Sequence, residues 1–295
     1  MVFGAVMSKS FYISTGCKIN LYLHIQGKRP DGYHYLDSLF YPLPRPRDWM
    51  HIVLGPDSGL SLSCCSHRLE PGSNILHKVY EAFYSATGHT PGLKVYLCKN
   101  IPIGAGLGGG SADAAAFLLF LNSLSRSKRL SHPELISLAA EIGADIPFFL
   151  YHQPARVSGI GEKLSLLNMK LKDWHLLLIC PEITIDTAWA YKTFDACHQE
   201  PCENPMPPFL TSSATKDNYS FFGQLNLYNS FEKAIFSACP ELGRIKAHVL
   251  HKGATACVMS GSGSSLAAFF RSQERARHVA LTLDRHKTSF YYVKL

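Results

Sequence analysis

Along Cys17–Ile25 the apolar residues Cys17, Ile19, Leu21, Leu23 and Ile25 alternate with Lys18, Asn20, Tyr22 and His24. A repeat of two marks a strand with one buried face, so Lys18 and Asn20 are expected together on its less apolar side. Gly27–Gly32 is rich in turn residues. Leu36–Tyr41, Trp49–Leu54 and Leu60–Cys64 predict three more strands, and the alternation of Leu93, Val95 and Leu97 a fourth. Helices are expected over Asn74–Ala86 with an end near Gly88, over Ala112–Leu124, and over Pro133–Ile142 closed by Gly143. Ala144–Pro147 reads as a short loop before a strand Phe148–Tyr151, and residues around 152–172 as a hairpin. The second half predicts strands Trp174–Cys180, Cys257–Met259, Leu266–Phe270 and Phe290–Val293, with helices Pro240–Leu250 and Ser272–Asp284. Residues 196–218, rich in Pro, Ser and Asn, predict a surface loop. Strands and helices mix without strict alternation, which points to the α+β class.

Composition narrows this picture. At 295 residues the chain has room for about two domains of roughly 150 residues each. With 46% apolar and 17% charged residues it is too apolar for a disordered chain. No apolar run approaches the ~20 residues of a membrane span, so no membrane partner is expected. The net charge of +7 suits nucleic acid, an anionic surface or a small anionic ligand. The longest basic cluster, Arg126–Ser127–Lys128–Arg129, is too short for a polynucleotide track, and nucleic acid is set aside. Nine cysteines include no pair of CxxC units, so zinc is not expected and a reducing cytoplasm fits. Met1–Met7 is too short an apolar run for a secretory leader and reads as an ordinary N-terminus entering a strand.

The segment that carries chemistry is Ile103–Ser111, with five glycines in the seven positions 104–110. Each glycine costs backbone entropy on ordering. What it permits is close approach, so that several N–H groups converge on an anion, helped by the positive end of the helix that follows. Gly104, Gly106 and Gly109 fit the dinucleotide spacing, but the acidic residue needed ~20 positions on is missing; Glu134 starts a helix instead. No Lys-Ser/Thr follows the glycines, which excludes a Walker loop, and no His-Arg-Asp or Asp-Phe-Gly exists, which excludes a protein kinase.

Pro102–Ile103–Gly104–Ala105–Gly106–Leu107–Gly108–Gly109–Gly110–Ser111–Ala112 resembles the phosphate loop of the GHMP small-molecule kinases. Lys18–Leu21 on the first strand and Ser260–Ser265 near the C-terminus resemble that superfamily's other motifs, so the resemblance spans nearly the whole chain. Lys18–His34, Gly143–Phe149 and Gly159–Glu162 are similar to the branch that phosphorylates the 2-hydroxyl of 4-diphosphocytidyl-2-C-methyl-D-erythritol in non-mevalonate isoprenoid synthesis. Ala105 departs from a usual glycine, tolerable at negative φ; Asp113 puts a carboxylate just inside the phosphate helix.

The resemblance implies a two-domain GHMP-kinase fold with the active site in the cleft between the domains. Residues 1–160 would form an N-terminal nucleotide-binding domain like a ribosomal-protein domain, and 161–295 the C-terminal domain. It implies ATP and Mg²⁺ as cofactors and a cytidylyl-methylerythritol substrate. Asp145 would be the general base, with Lys18 beside it lowering its pKa and offsetting charge on the phosphoryl. His34 and Tyr191 would hold the cytosine, and Asn20, Tyr33 and Thr187 the rest of the substrate. Asn74 and Lys99 match positions near adenine and ribose, though a helix cap and a solvated lysine are their ordinary roles. Ser111 is the leading magnesium ligand, the others unassigned. A monomer or a homodimer would serve. Other readings stay open: a GHMP kinase for a different alcohol, an inactive ligand sensor on this scaffold, and an RNA-binding module.

Overall fold

The computed structural model describes residues 9–66, 74–125, 128–197 and 227–295. Met1–Met7, most of the 196–218 loop and half of the 126–129 basic cluster lie outside them. Contact between Cα atoms divides the chain into two compact units. The first comprises Met1–Gly16, Pro46–Ile101 and Gly109–Tyr151; the second Cys17–Arg45, Pro102–Gly108 and His152–Leu295. Strands β1 (Ser10–Lys28) and β2 (His34–Gly55) each contribute to both.

In the first unit β4 (Gly92–Cys98) runs between two partners. It pairs antiparallel with β2 from Trp49↔Cys98 to Gly55↔Gly92, and parallel with β3 (Gly59–Cys64) from Gly59↔Gly92 to Cys64↔Leu97. The crowded start of this three-strand arrangement demands glycine: a Cβ on Gly92 would lie 1.6 Å from the Asp57 carbonyl oxygen. Four helices complete the described part of the unit. Helix α1 (Ile75–Thr87) is capped by Asn74, whose side chain accepts from the Leu76 N–H, and closed by Gly88 at φ 72°. Helix α2 (Gly109–Leu124) is buried on nearly every side, as its Ala- and Leu-rich sequence requires. Helix α3 (His132–Ile142) opens with the Glu134 carboxylate accepting from the Ser131 backbone N–H at 2.7 Å, which confirms that Glu134 starts a helix.

In the second unit β2 pairs antiparallel with β5 (Ala155–Gly159), and β5 with β6 (Lys163–Leu166), forming the expected hairpin. Strand β1 pairs parallel with the short β8 (Tyr228–Asn229). A separate antiparallel sheet has the order β11-β7-β10-β9, from β7 (His175–Pro181), β9 (Ala256–Met259), β10 (Leu266–Phe270) and β11 (Thr288–Lys294). Helices α5 (Thr187–Cys197), α6 (Phe231–Ala238), α7 (Pro240–His251) and α8 (Gln273–Leu281) belong to the same unit. Its core joins Leu177 and Ile179 of β7, Leu266 and Phe270 of β10, and Phe231 and Ile235 of α6.

Three expectations fail, and two helices had not been expected. Phe148–Tyr151 is part of a helix, α4 (Ile146–Tyr151), because Pro147 sits in the first turn, where no N–H is needed. The two strands expected within 36–54 are one: Pro42, Pro44 and Pro46 alternate, so their missing donors fall on one strand edge and the extended chain continues. Strand β1 is buried on both faces from Cys17 to Ile25 apart from the half-buried Gly16 before it, not half-buried throughout. Helices α5 and α6 were not expected from the sequence.

Candidate active site

The glycine loop is shaped by three left-handed glycines, Gly104, Gly106 and Gly108, at φ 67°, 74° and 70°. Ala105 is not among the left-handed residues, which is the condition its Cβ imposes. Gly106 also lies so close to the Ser260 carbonyl that a Cβ would be 2.0 Å from its oxygen. Four successive carbonyls of the loop accept hydrogen bonds within the second unit. Gly104 accepts from the Ile185 N–H at 3.3 Å, Ala105 from Ser265 N–H at 3.2 Å and Leu107 from Lys18 N–H at 2.9 Å. Gly106 accepts from the Ser260 hydroxyl at 2.9 Å.

Lys18 is buried in the same scaffold. Its Nζ donates to Asn20 Oδ1 at 2.7 Å, as two residues apart on one strand face allow, and lies 4.4 Å from the Phe40 ring centroid. The Asn20 side chain donates to Ser38 Oγ at 2.8 Å, and Ser38 Oγ donates to the Tyr22 carbonyl at 2.6 Å. The Asn20 N–H meets Ser260 Oγ at 3.2 Å. One hydroxyl, Ser260, thus ties the lysine strand to the glycine loop.

Farther along β1 and β2 an aromatic cluster forms. The His34 and Tyr191 rings stack with centroids 4.7 Å apart and planes 17° apart, and Phe231 meets Tyr191 edge-on at 4.9 Å. His34 is only 7% exposed, so it is not an ordinary surface histidine. Its Nε2 lies 2.7 Å from Asp195 Oδ1, and Lys28 Nζ donates to Asp195 Oδ2 at 2.6 Å. Burial works against ionising Asp195, yet these two hydrogen bonds hold its carboxyl below the usual range. Thr187 and Tyr191 are four residues apart on α5, and Thr187 Oγ1 lies 3.3 Å from Ser262 Oγ of the glycine–serine loop. Tyr33 stands apart: its ring is 62% exposed, in a turn where its carbonyl accepts from the Arg29 N–H. Sequence reasoning missed Asp195; the spacing Tyr191–Asp195, one helical turn, was the available signal.

The first unit holds a different arrangement. Lys99 is not solvated: its buried Nζ bridges Asp48 and Asp113, the latter at 2.7 Å. Asp48 Oδ1 accepts the N–H groups of Asn100 and Ile101 at 2.6 and 2.8 Å. Asp113 Oδ1 accepts from the Thr15 hydroxyl at 2.8 Å. The end of β4 and the first turns of α2, which flank the loop segment 102–108, are thereby pinned to each other. Burial, opposed by Lys99 and helped by Asp48, pushes the Asp113 carboxyl up to about 6. Asp113 is therefore an ion-pair partner, and Asn74 is the cap of α1 with its side-chain oxygen in use. Asp145 is half-buried immediately before α4, where the Ile146 N–H bonds back to the Gly143 carbonyl at 3.1 Å. Ser111 is half-buried in the first turn of α2.

A strand, a left-handed glycine loop and a buried helix in series, with a lysine fixed to the loop's scaffold, define a phosphotransferase of one particular class. The family described as GHMP kinases N terminal domain matches residues 74–153, and GHMP kinases C terminal matches residues 214–287. The chain belongs to the GHMP kinases. It is 41% identical over 285 residues to a Nitratidesulfovibrio vulgaris protein, covering 97% of this chain and 99% of that one. It is 44% identical over 281 residues to one from Lawsonia intracellularis, covering 92% of each. A crystal structure of 4-(cytidine 5'-diphospho)-2C-methyl-D-erythritol kinase superposes with TM-score 0.79 at 29% identity, covering 96% of this chain and 98% of that one. Both relatives are 4-diphosphocytidyl-2-C-methyl-D-erythritol kinases, and within the GHMP kinases this chain is a member of their family. Homoserine kinase from Cytophaga hutchinsonii, at 18% identity and TM-score 0.72 over 100% of this chain and 98% of that one, shares the fold.

Proposed function

We propose that this enzyme transfers the γ-phosphoryl group of ATP to the 2-hydroxyl of 4-diphosphocytidyl-2-C-methyl-D-erythritol, a step of non-mevalonate isoprenoid synthesis. The observation that carries the reading is the Lys18–Asn20–Ser260–Gly106 network, which fixes an ammonium to the scaffold of a glycine loop. Phosphoryl transfer needs mainly positioning and charge stabilisation, and this network supports both.

In this reading the amides of Gly104–Ala112 cradle the nucleotide phosphates while the loop carbonyls stay turned onto β1 and the glycine–serine loop. Asp145 accepts the proton of the 2-hydroxyl as the phosphoryl arrives, and Lys18 orients that oxygen and offsets charge on the transferring group. His34 and Tyr191 hold the cytosine. Their mutual stacking and the Asp195 contact fix the imidazole, so the base meets a rigid edge. Asn20 and Thr187, with Tyr33 closing from its exposed turn, hold the diphosphate and methylerythritol. Asn74 and Lys99 border the nucleotide through backbone and stem, since both side chains have structural partners. Magnesium fits the hydroxyl of Ser111 together with the phosphates themselves, and would neutralise β- and γ-phosphate charge.

A cytosolic monomer or homodimer free of nucleic acid is part of this proposal. The phosphoryl transfer and its substrate are tested by coupled ADP release with cytidylyl-methylerythritol, mevalonate and homoserine offered separately. Turnover with the first alone is expected; preference for another alcohol would overturn the substrate, and no ATP consumption at all would favour a ligand sensor.

A further inference from the structure

The first unit carries a pair of thiols that phosphoryl transfer does not use. In the parallel ladder of β3 and β4, Ser61 faces Lys94 and Ser63 faces Tyr96, and all four are exposed. The next step of that register sets Cys65 level with Cys98, and both are exposed. Two bonds fix Cys65 there: its N–H donates to the Leu97 carbonyl at 3.0 Å, and its Sγ accepts the Lys99 N–H at 3.1 Å. The Cys98 thiol hydrogen-bonds to Cys65, and that bond, with some burial, pushes it up. Neighbouring strands lie about 4.8 Å apart, within the Cα separation of roughly 4.4–6.8 Å that a disulfide spans. Cys17, Cys180 and Cys257 are buried and out of reach of an aqueous oxidant.

We infer that Cys65 and Cys98 form a reversible dithiol–disulfide site that responds to peroxide-class oxidants. Cys65, whose sulfur already receives an N–H, is the attacking thiolate. It takes the distal oxygen of hydrogen peroxide; the O–O bond breaks, giving a sulfenic acid and hydroxide, which takes up the thiol proton as water. The Cys98 sulfur then attacks the Cys65 sulfur, the S–O bond breaks, and the hydroxyl leaves as water with the Cys98 proton. Two thiols and one peroxide become one disulfide and two waters, the sulfurs giving two electrons to the peroxide. The bridge redirects the sulfur that holds the Lys99 amide, so it reaches the Lys99–Asp48–Asp113 stem of the glycine loop.

The test treats the full-length enzyme with hydrogen peroxide and maps its peptides. A Cys65–Cys98 cross-linked peptide lighter by about 2 Da is expected, reversed by dithiothreitol. Cys98→Ser should leave a dimedone-trappable sulfenic acid on Cys65, and Cys65→Ser no cross-link. A bridge to Cys64 or Cys197 instead, or no bridge, would overturn the site. A second arm rests on the kinase reading: KM for ATP should rise several-fold in bridged wild-type enzyme and stay unchanged in peroxide-treated Cys98→Ser. Unchanged KM in fully bridged enzyme would overturn the link to the stem while leaving the peptide result standing, so failure here and failure of the kinase reading are told apart.

Discussion

Two buried lysines, one in each unit, sit in different surroundings. Lys18 Nζ donates to the Asn20 amide oxygen and lies beside the Phe40 ring. Lys99 is enclosed by two carboxylates, Asp48 and Asp113. The Asn20 amide fixes where the ammonium sits, and in the proposed reaction that ammonium offsets charge on the incoming phosphoryl group. Two carboxylates more than cancel the charge, and the lysine becomes a cross-link between β4 and α2. The environment, more than the residue type, separates the lysine proposed to act on substrate from the one that builds the stem.

The comparison breaks most visibly through the chemistry. Asp145→Asn should lower kcat roughly 10²–10⁴-fold while ATP still binds, and Lys18→Met roughly 10²–10³-fold with the unfolding midpoint nearly unchanged. Rapid-quench turnover and urea unfolding check both; a Lys18 variant that unfolds early instead would make it a structural lysine like Lys99. Lys99→Met strands two buried carboxylates and should cost about 3–5 kcal/mol of stability, read as a lower urea midpoint. An unchanged midpoint would remove the cross-link. His34→Ala should raise KM for the cytidylyl substrate more than KM for ATP, and equal changes would detach His34 from the cytosine.

The smallest effect sharpens the stem's electrostatics. The Asp113 carboxyl stands at about 6 against 3.8 outside the fold, because burial disfavours its charge. Between those values the folded chain binds the extra proton, so this group's contribution is complete below 3.8 and is lost as pH rises through about 6. The stability of wild type relative to Asp113→Asn should therefore fall from pH 4 to pH 6, measured by urea unfolding at each pH; a rise over that window would mean the carboxyl is depressed.

Local patterns made much of this legible. Asn74 and Gly88 marked both ends of α1, and the spacing of Lys18 and Asn20 put them on one face. The glycine density and negative φ of Ala105 were readable too. What was hidden depends on distant partners or on short apolar runs. Nothing near Asp48 announces Lys99, 51 residues away. Phe148–Tyr151 has no length over which a helical repeat differs from a strand's. Trp189, Tyr191, Thr193 and Phe194 favour strands, which masked α5 and with it Asp195.

The proposed phosphoryl transfer needs Lys18 and Asp145 to serve one alcohol together. Single-turnover rates of Lys18→Met, Asp145→Asn and the double variant test it most directly. Residues acting as a unit are strongly non-additive, so the double variant should be no slower than the slower single. Losses that multiply would show two independent contributions and contradict the shared site.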